Sequence, residues 1–582
     1  MTLLKPLYRL TKYLREYKKD IIIGIILIII SDVLFAVLPK ILQYTIDAIA
    51  REINLRQLAI YAAALVGIAA IYAGIRFLMR KIVVGVSRKV EYQLRNDFFR
   101  HLQRLSLRFF VNNRTGDLMA RATNDINAVT TTLGMGGLLT ISNGFIFTFI
   151  FVLMITTNAK LTLLSLIPFP FILLLMYFSF SYFYQTFEKV QEQFSSITAK
   201  TQENISGIRV IKAYVQELNE IAQFNELNQT YLKQNLILAK ARGLMWSSME
   251  VLFGIALLIL LWFGGNAVIN DKITLGNLVA FTVWLGMLGW PIISFGWILN
   301  LIQRASASMN RLNEIMDTEP LIQDTPCTDH SIKGLKGEIE FRNVSFSYDE
   351  KRVLKDINLT IKPGMTLAII GPTGSGKTTL INLIPRMIDA TDGAVLVDGK
   401  DIKCIPVKTL RNSIGFVPQE TFLFSETIEE NISFGAEKAV GEDIQWAADI
   451  STISHDLENF PDKFQTLIGE RGVNLSGGQK QRTAISRALL RKPKILILDD
   501  ALSSVDTYTE EQIMKSLLEN YFNQTSIIIS HRISTIKHAD QIIVLENGEI
   551  IEQGTHEELV KLRGFYAQLH RQQLLEKALE EM

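Results

Sequence analysis

Six stretches in the first half of the chain are apolar for long enough to cross a bilayer, and this removes most folds open to 582 residues. A helix needs about 20 mostly apolar residues to cross roughly 30 Å of hydrocarbon. Runs of that kind lie near residues 21–38, 58–79, 133–156, 161–184, 244–268 and 275–302, and nothing comparable follows them. The mean hydropathy of the whole chain is positive, as expected if part of it faces lipid. With 60 basic and 58 acidic residues, the chain lacks the basic excess of a nucleic-acid binder, so no nucleic-acid partner is expected. A soluble enzyme is excluded by the six runs. Only two cysteines occur, Cys327 and Cys404, both in the polar half. Two cannot build a disulfide framework, and they fit a reducing compartment.

An even number of spans puts both chain ends on one side. The connection after the second run is rich in arginine and lysine from Arg80 to Arg121, and the one after the fourth is also long and basic. The connections at residues 156–160 and 270–274 are short. Positive loops stay cytoplasmic, so both ends are expected in the cytoplasm of a multi-pass inner-membrane protein. The two long connections read as proline-free helix. About 25 helical residues at 1.5 Å each carry a chain nearly 40 Å from the membrane. Each should turn at a short polar segment, residues 112–123 (NNRTGDLMARAT) and 206–213 (SGIRVIKA), and such turns are expected to dock on another domain. Residues 1–17 are basic and amphipathic without a cleavable apolar core, and are expected to lie along the membrane interface. The expected order is therefore an interfacial helix (1–17), an all-α transmembrane domain of six spans (18–313), a linker (314–336) carrying Pro320, Pro326 and Gly334, and an α/β domain (337–582).

The α/β domain carries the chemistry. Gly371-Pro372-Thr373-Gly374-Ser375-Gly376-Lys377-Thr378 matches the phosphate-loop pattern G-x-x-x-x-G-K-[ST], after an expected strand (366–370) and before a helix opening at Thr379. In that context the backbone amides can wrap phosphates, Lys377 can reach the β- and γ-phosphates, and Thr378 can hold Mg²⁺. Residues 494–500 (KILILDD) read as a buried parallel strand ending in two carboxylates, with Asp499 expected to orient the Mg²⁺ shell and Asp500 to polarise the attacking water. ATP and Mg²⁺ are the expected cofactors.

Leu475-Ser476-Gly477-Gly478-Gln479, about 20 residues before that strand, resembles the signature of ATP-binding cassette (ABC) proteins. Other family elements occur in order around it. Tyr348 resembles the aromatic that stacks on adenine, and Gln419 the glutamine that links Mg²⁺ to the membrane domain. Residues 469–472 resemble the exporter X-loop, Ser503–Asp506 the D-loop, and His531 the switch histidine that senses the γ-phosphate. Six spans ahead of one cassette resemble a half-transporter of the type IV exporter class, and the likeness covers essentially the whole chain. The resemblance implies a dimer, in which each signature caps the ATP held by the opposite phosphate loop.

One position departs from the family pattern. Where the family has glutamate after the strand aspartate, this chain has Asp500. Its carboxylate falls about 1 Å or more short of the water, and a misplacement of that size can cost about 10²-fold in rate. By resemblance, the chain is the slow-site half of a heterodimeric multidrug exporter. Its partner is then a second half-transporter that supplies a catalytic glutamate and an altered signature. The alternatives are a homodimeric lipid flippase of the same fold, and an ATP-gated membrane protein that pumps nothing.

Charges inside spans are costly and mark candidates, here Asp32 and Glu250, each either a packing acid or a cavity residue. Trp284 and Trp290 are candidates to line an aromatic cavity for small hydrophobic or amphipathic substrates. Pro291 is expected to kink the sixth span.

Overall fold

The computed structural model describes residues 5–51, 54–436, 438–469, 475–520 and 524–580. The chain divides into two compact units. The first is Met1–Gln103 with Thr115–Thr318, and the second is Arg104–Arg114 with Glu319–Met582.

The first unit is entirely helical. A 3₁₀ turn (Pro6–Arg9) and α1 (Leu10–Glu16) lead into α2 (Lys18–Ile49) and α3 (Leu55–Leu102). The short α4 (Leu107–Asn112) belongs to the second unit. The chain then returns through α5 (Thr115–Ala120), α6 (Ile126–Thr131) and α7 (Gly137–Ser165), with π-helical turns at Arg121–Asp125 and Thr132–Gly136 between them. The remaining helices are α8 (Pro168–Ser206), α9 (Ile208–Ala213), α10 (Glu217–Ile269), α11 (Leu275–Met287) and α12 (Gly289–Met316). Among the described residues, five helical stretches are long and apolar enough to cross a membrane. The expected fourth run is carried by the end of α7 and by α8.

Local chemistry sets the breaks. Within α7, Asn158 leaves helical geometry (φ −159°, ψ 102°), and its side chain accepts from the Leu161 amide at 3.0 Å. That side chain caps the new helix and separates the third run from the fourth. The sixth run is divided at Leu288, three residues ahead of Pro291, whose ring cannot accommodate the preceding helical carbonyls. The 53 residues of α10 and 48 of α3 are the long extensions read from the sequence.

The two expected turns differ in outcome. Gly207 separates α8 from α9, within residues 206–213 as expected. The first turn begins earlier than residues 112–123 and overlaps that segment only around Asn113 and Arg114, between α4 and α5. The chain leaves α3 at Leu102 and forms α4, and Arg108 pairs with Asp349 of the second unit. Residues 115–125 are polar yet helical, tied by an i,i+4 pair between Asp117 and Arg121 at 2.8 Å. Most of that polarity lies on an exposed helix, while Asp125 is buried against Arg311 and Ser308, so the segment is not a turn.

Leu10 and Tyr13 of α1 are buried, and Arg9 pairs with Asp317 at 2.6 Å while the Asn313 side-chain Nδ2 donates to Pro6 O at 3.1 Å. The N-terminal segment is thus fastened to the end of α12. At the other end of α2, Asp47 accepts from the Thr274 hydroxyl (2.7 Å) and the Gly276 amide (2.8 Å), which clasps α2 to the start of α11.

The second unit contains two sheets. The first is antiparallel in the order β2 (Lys351–Ile361), β1 (Ile339–Tyr348), β4 (Asp392–Val397), β5 (Lys400–Asp401). The second has the order β10 (Glu549–Gly554), β9 (Gln541–Glu546), β3 (Thr366–Ile370), β8 (Thr525–Ile529), β7 (Ile495–Asp499), β6 (Ile414–Val417). β3 is parallel to β8 and β9, and β7 is parallel to β6 and β8. Every residue of β7 is buried, which is why it reads as an unbroken apolar run. A ligand site in such a sheet belongs at the carboxyl ends of its central strands, and β3, β7 and β8 all end together.

Cys327 and Cys404, read as residues of a reducing compartment, form a disulfide with Cα atoms 5.1 Å apart. Their separation of 77 residues hid the pairing. The linker around Cys327 is laid along the 400–407 edge, where Asp329 pairs with Lys400 (2.9 Å) and Asp324 accepts from the Val407 amide (2.9 Å).

Candidate functional site

The phosphate loop leaves β3 at Gly371 and enters the helix Lys377–Leu383. Gly371 has φ +154°, and a Cβ there would sit 2.0 Å from Leu545 O. Gly376 caps the helix at φ +102°, a left-handed backbone that side chains rarely adopt. No other residue type fits at either position. The loop closes on Lys377, whose ammonium donates to Gly371 O (2.8 Å) and Pro372 O (2.9 Å). The Ser375 hydroxyl is buried without a partner. A cradle of amides with an orphaned hydroxyl and a lysine at its centre fits phosphate groups.

β7 delivers Asp499 and Asp500 to the same place. Asp499 is 2% exposed and accepts from the Thr378 hydroxyl. Burial raises its pKa, and the neighbouring Asp500 adds to this, while Thr378 and Lys377 act against it. Burial also lowers the pKa of Lys377, opposed by the two aspartates. A divalent cation would relieve this arrangement, and the donor set expected for Mg²⁺ (Thr378, Gln419 and Asp499) is made of hard oxygens suited to it.

Asp500 has a left-handed backbone (φ +48°). Its N–H donates to Ile529 O at 3.0 Å, and its carbonyl accepts from the Ser503 N–H at 3.3 Å. Thr373, Gly374, Gly376, Lys377, Thr378, Thr379, Gln419, Asp499, Asp500 and His531 line one cavity of about 300 Å³. They come from four separate stretches of sequence. Tyr348, 44% exposed, ends β1 with its ring edge-on to Phe346, 4.7 Å between centroids, and it is not in the wall of this cavity.

The signature residues lie elsewhere. Ser476 caps the helix Gly477–Leu490 through a reciprocal pair, with the Gln479 amide donating to Ser476 Oγ (3.2 Å) and the Ser476 amide to Gln479 Oε1 (3.0 Å). Leu475 is buried, and Gly477 and Gly478 lie against Ser504. Asp506 accepts from the Thr509 amide at 2.9 Å, which holds its carboxyl below the usual range. Of the expected X-loop, residues 470–472 lie outside the described residues.

Sequence reasoning missed a support for His531. On the C-terminal helix Phe565–Glu580, Gln573 donates to His531 O (2.7 Å) and accepts from the Ile533 amide (2.9 Å). Arg532 donates to Val505 O at 3.1 Å and pairs with the buried Glu510, which also accepts from Thr535. The histidine backbone is thus clamped from two sides. A lone glutamine on a terminal helix carries no signal of this in sequence.

The membrane candidates fare differently. Trp284 has no exposed surface and donates its indole N–H to Ala36 O at 2.9 Å, so it is a packing residue and does not line a cavity. Asp32 is buried and accepts from the Ser142 hydroxyl at 2.9 Å. Glu250 and Trp290 are exposed. The largest cavity described in this unit, about 810 Å³, is lined by none of the four, and its tryptophans are Trp246 and Trp297.

A phosphate loop, two strand-end carboxylates, a glutamine and a histidine around one cavity define a P-loop nucleotide-binding cassette, here following a long-helix membrane unit. Residues 21–292 match the family model described as the ABC transporter transmembrane region, and residues 354–503 match that of the ABC transporter. The chain is 38% identical over 574 residues to the probable multidrug resistance ABC transporter ATP-binding/permease protein YheI of Bacillus subtilis, covering 98% of each. It is 34% identical to the ATP-dependent lipid A-core flippase of Syntrophus aciditrophicus, covering 98% of this chain and 95% of the relative. A solved structure of a bacterial Atm1-family ABC exporter with ATP bound superposes with a TM-score of 0.81 at 25% identity, covering 95% and 99%. The chain belongs to the ABC transporter family. It is an exporter half-transporter, a helical transmembrane domain fused to an ATP-binding cassette.

Proposed function

We propose that this chain is the slow-site half of a heterodimeric exporter that moves hydrophobic or amphipathic compounds, multidrug substrates among them, out across the cytoplasmic membrane. The observation that carries this reading is the fixed main chain at Asp500. Both backbone groups are bonded to neighbours, so the backbone cannot advance to offset a side chain one methylene shorter than glutamate. Lys377 and the loop amides would hold the ATP phosphates, with Tyr348 against adenine. Mg²⁺, when bound with ATP, would supply the positive charge that neutralises the β- and γ-phosphates. Thr378, Gln419 and Asp499 would position it, and His531 would report the γ-phosphate. Nucleotide would bind normally here and be hydrolysed slowly. Ser476, Gly477, Gly478 and Gln479 would complete the partner's faster site, which fits their absence from this chain's own cavity. The spans sit in lipid, with both chain ends and the cassette in the cytoplasm.

The multidrug label on the Bacillus relative supports this substrate class. The flippase label at similar identity supports a lipid substrate, and with it a second reading in which two copies of this chain act as a lipid flippase. One experiment separates them. The chain is purified alone, and also co-expressed with a half-transporter that carries glutamate after its strand aspartate. ATPase activity and ATP-dependent uptake into inverted vesicles are then measured for both. The heterodimer predicts that only the pair turns over ATP and transports. Uptake by the lone chain with full turnover would establish the homodimer instead, and flux without hydrolysis would indicate an ATP-gated conduit.

A further inference from the structure

The cavity of about 810 Å³ in the membrane unit is walled by α8, α10 and α12 and has two unlike ends. Its size suits a drug-sized ligand. One end is apolar and polarisable, with Trp246, Trp297 and three methionines (Met176, Met245, Met249). The other end carries Glu188 and Arg304. Chain direction orders these groups. Along α8 the lining runs from Met176 to Glu188, and along α12 from Ile293 to Arg304, so both charges stand at the same end. The apolar runs of these helices end near residues 184 and 302, which puts both charges just past the hydrocarbon, at the boundary with water. Among the described residues, neither is in an ion pair or a side-chain hydrogen bond.

Two opposite charges that do not satisfy each other, at the polar mouth of an aromatic and methionine-lined pocket, are complementary to a molecule carrying both charges on one head. We propose that this cavity binds a zwitterionic amphiphile, its apolar body against Trp246, Trp297 and the methionines and its head between Glu188 and Arg304. Methionine walls adapt to bodies of differing shape, while the charge pair selects the head. The inference rests on the export reading and names the substrate class of that function. A bilayer phospholipid and a soluble amphiphile both offer such a head and present the same chemistry.

The test uses the full chain in nanodiscs, with tryptophan fluorescence as the readout. Three probes share a dodecyl tail and are titrated below micelle formation: dodecylphosphocholine, dodecyltrimethylammonium and dodecyl sulfate. The zwitterion is expected to bind about tenfold more tightly than either singly charged probe, the scale of one charged hydrogen bond. Glu188→Gln should weaken the zwitterion and the cation and spare the anion, and Arg304→Gln should do the mirror image. ATP binding by the cassette confirms that each variant is folded. Phosphatidylcholine in the disc, replacing phosphatidylglycerol, should right-shift the zwitterion curve if bilayer lipid is the occupant, and leave it in place if a soluble amphiphile is. Equal affinity for all three probes, or variants that move all three alike, would overturn the proposal. ATP-driven uptake by the pair is measured alongside. Uptake without charge preference sinks this inference alone, whereas charge preference without any ATP-driven uptake sinks the export reading and leaves the site.

Discussion

Replacing Asp500 by glutamate is the most exacting test of how the cassette is built. Asp500 is bonded through its N–H to Ile529 O at 3.0 Å and through its carbonyl to the Ser503 amide at 3.3 Å, so the added methylene must appear as reach into the cavity. That reach is about 1.5 Å, one carbon–carbon bond, and misplacement of a catalytic group by about 1 Å can cost 10²-fold. Asp500→Glu should therefore raise the hydrolysis rate at this chain's own site by up to about 10²-fold, near 2.7 kcal/mol of barrier. The gain has a structural cost. Aspartate tolerates the left-handed backbone at φ +48°, whereas most side chains lose about 1 kcal/mol or more there. The variant should hydrolyse faster and melt slightly lower. The assay is single-turnover hydrolysis by the chain co-expressed with a half-transporter whose own strand-end glutamate is replaced by glutamine, with nucleotide affinity and thermal midpoint measured on the same preparation. A folded Asp500→Glu variant with unchanged affinity and a rate within twofold of wild type would refute the idea that carboxylate reach limits this site.

Three further outcomes follow from named contacts. Because burial raises the Asp499 pKa, the ionised carboxylate opposes folding above the ordinary carboxylate pKa; Asp499→Asn should raise the thermal midpoint near pH 7 without nucleotide, lose that advantage as pH falls through the carboxylate range, and lose stabilisation by Mg²⁺ and ATP, as read by differential scanning fluorimetry. Gln573→Ala removes both bonds that bracket the His531 backbone, and in the Asp500→Glu background should lower kcat about tenfold with little change in nucleotide affinity; a parallel loss of affinity would show a wider collapse. At Gly276 a Cβ would meet Gln43 O at 2.3 Å, so Gly276→Ala must separate α2 from α11 and should cost about 1–3 kcal/mol, seen as a lower melting midpoint of the membrane unit; an unchanged midpoint would mean that the close approach does not exist in solution.

Legibility in the sequence followed how local each signal was. The phosphate loop and the KILILDD strand are contiguous, and each needs particular residue types at fixed spacing. Glycine at 371 and 376 is dictated by the backbone, and the unbroken apolar run of β7 by burial on both faces. Long-range pairings left no comparable trace. The Cys327–Cys404 bridge joins residues 77 apart, and Gln573 reaches His531 from a helix with no motif of its own. In the membrane unit, apolar length was readable, but the direction each tryptophan faces was not. Trp284 and Trp297 look alike in a run of hydrophobic residues, yet one is fully buried on Ala36 and the other lines a cavity.

The residue order alone was enough to establish a membrane domain followed by an ATP-binding cassette, because the thickness of a bilayer and the geometry of phosphate binding each impose a pattern along a short piece of chain. Folding decided what lies between those pieces. It drew Asp500 into a left-handed turn pinned at both ends, buried Trp284, paired the cysteines, and set Glu188 and Arg304 at one mouth of a shared cavity. Those outcomes depend on which distant surfaces meet, and packing settles that only when the whole chain is in place.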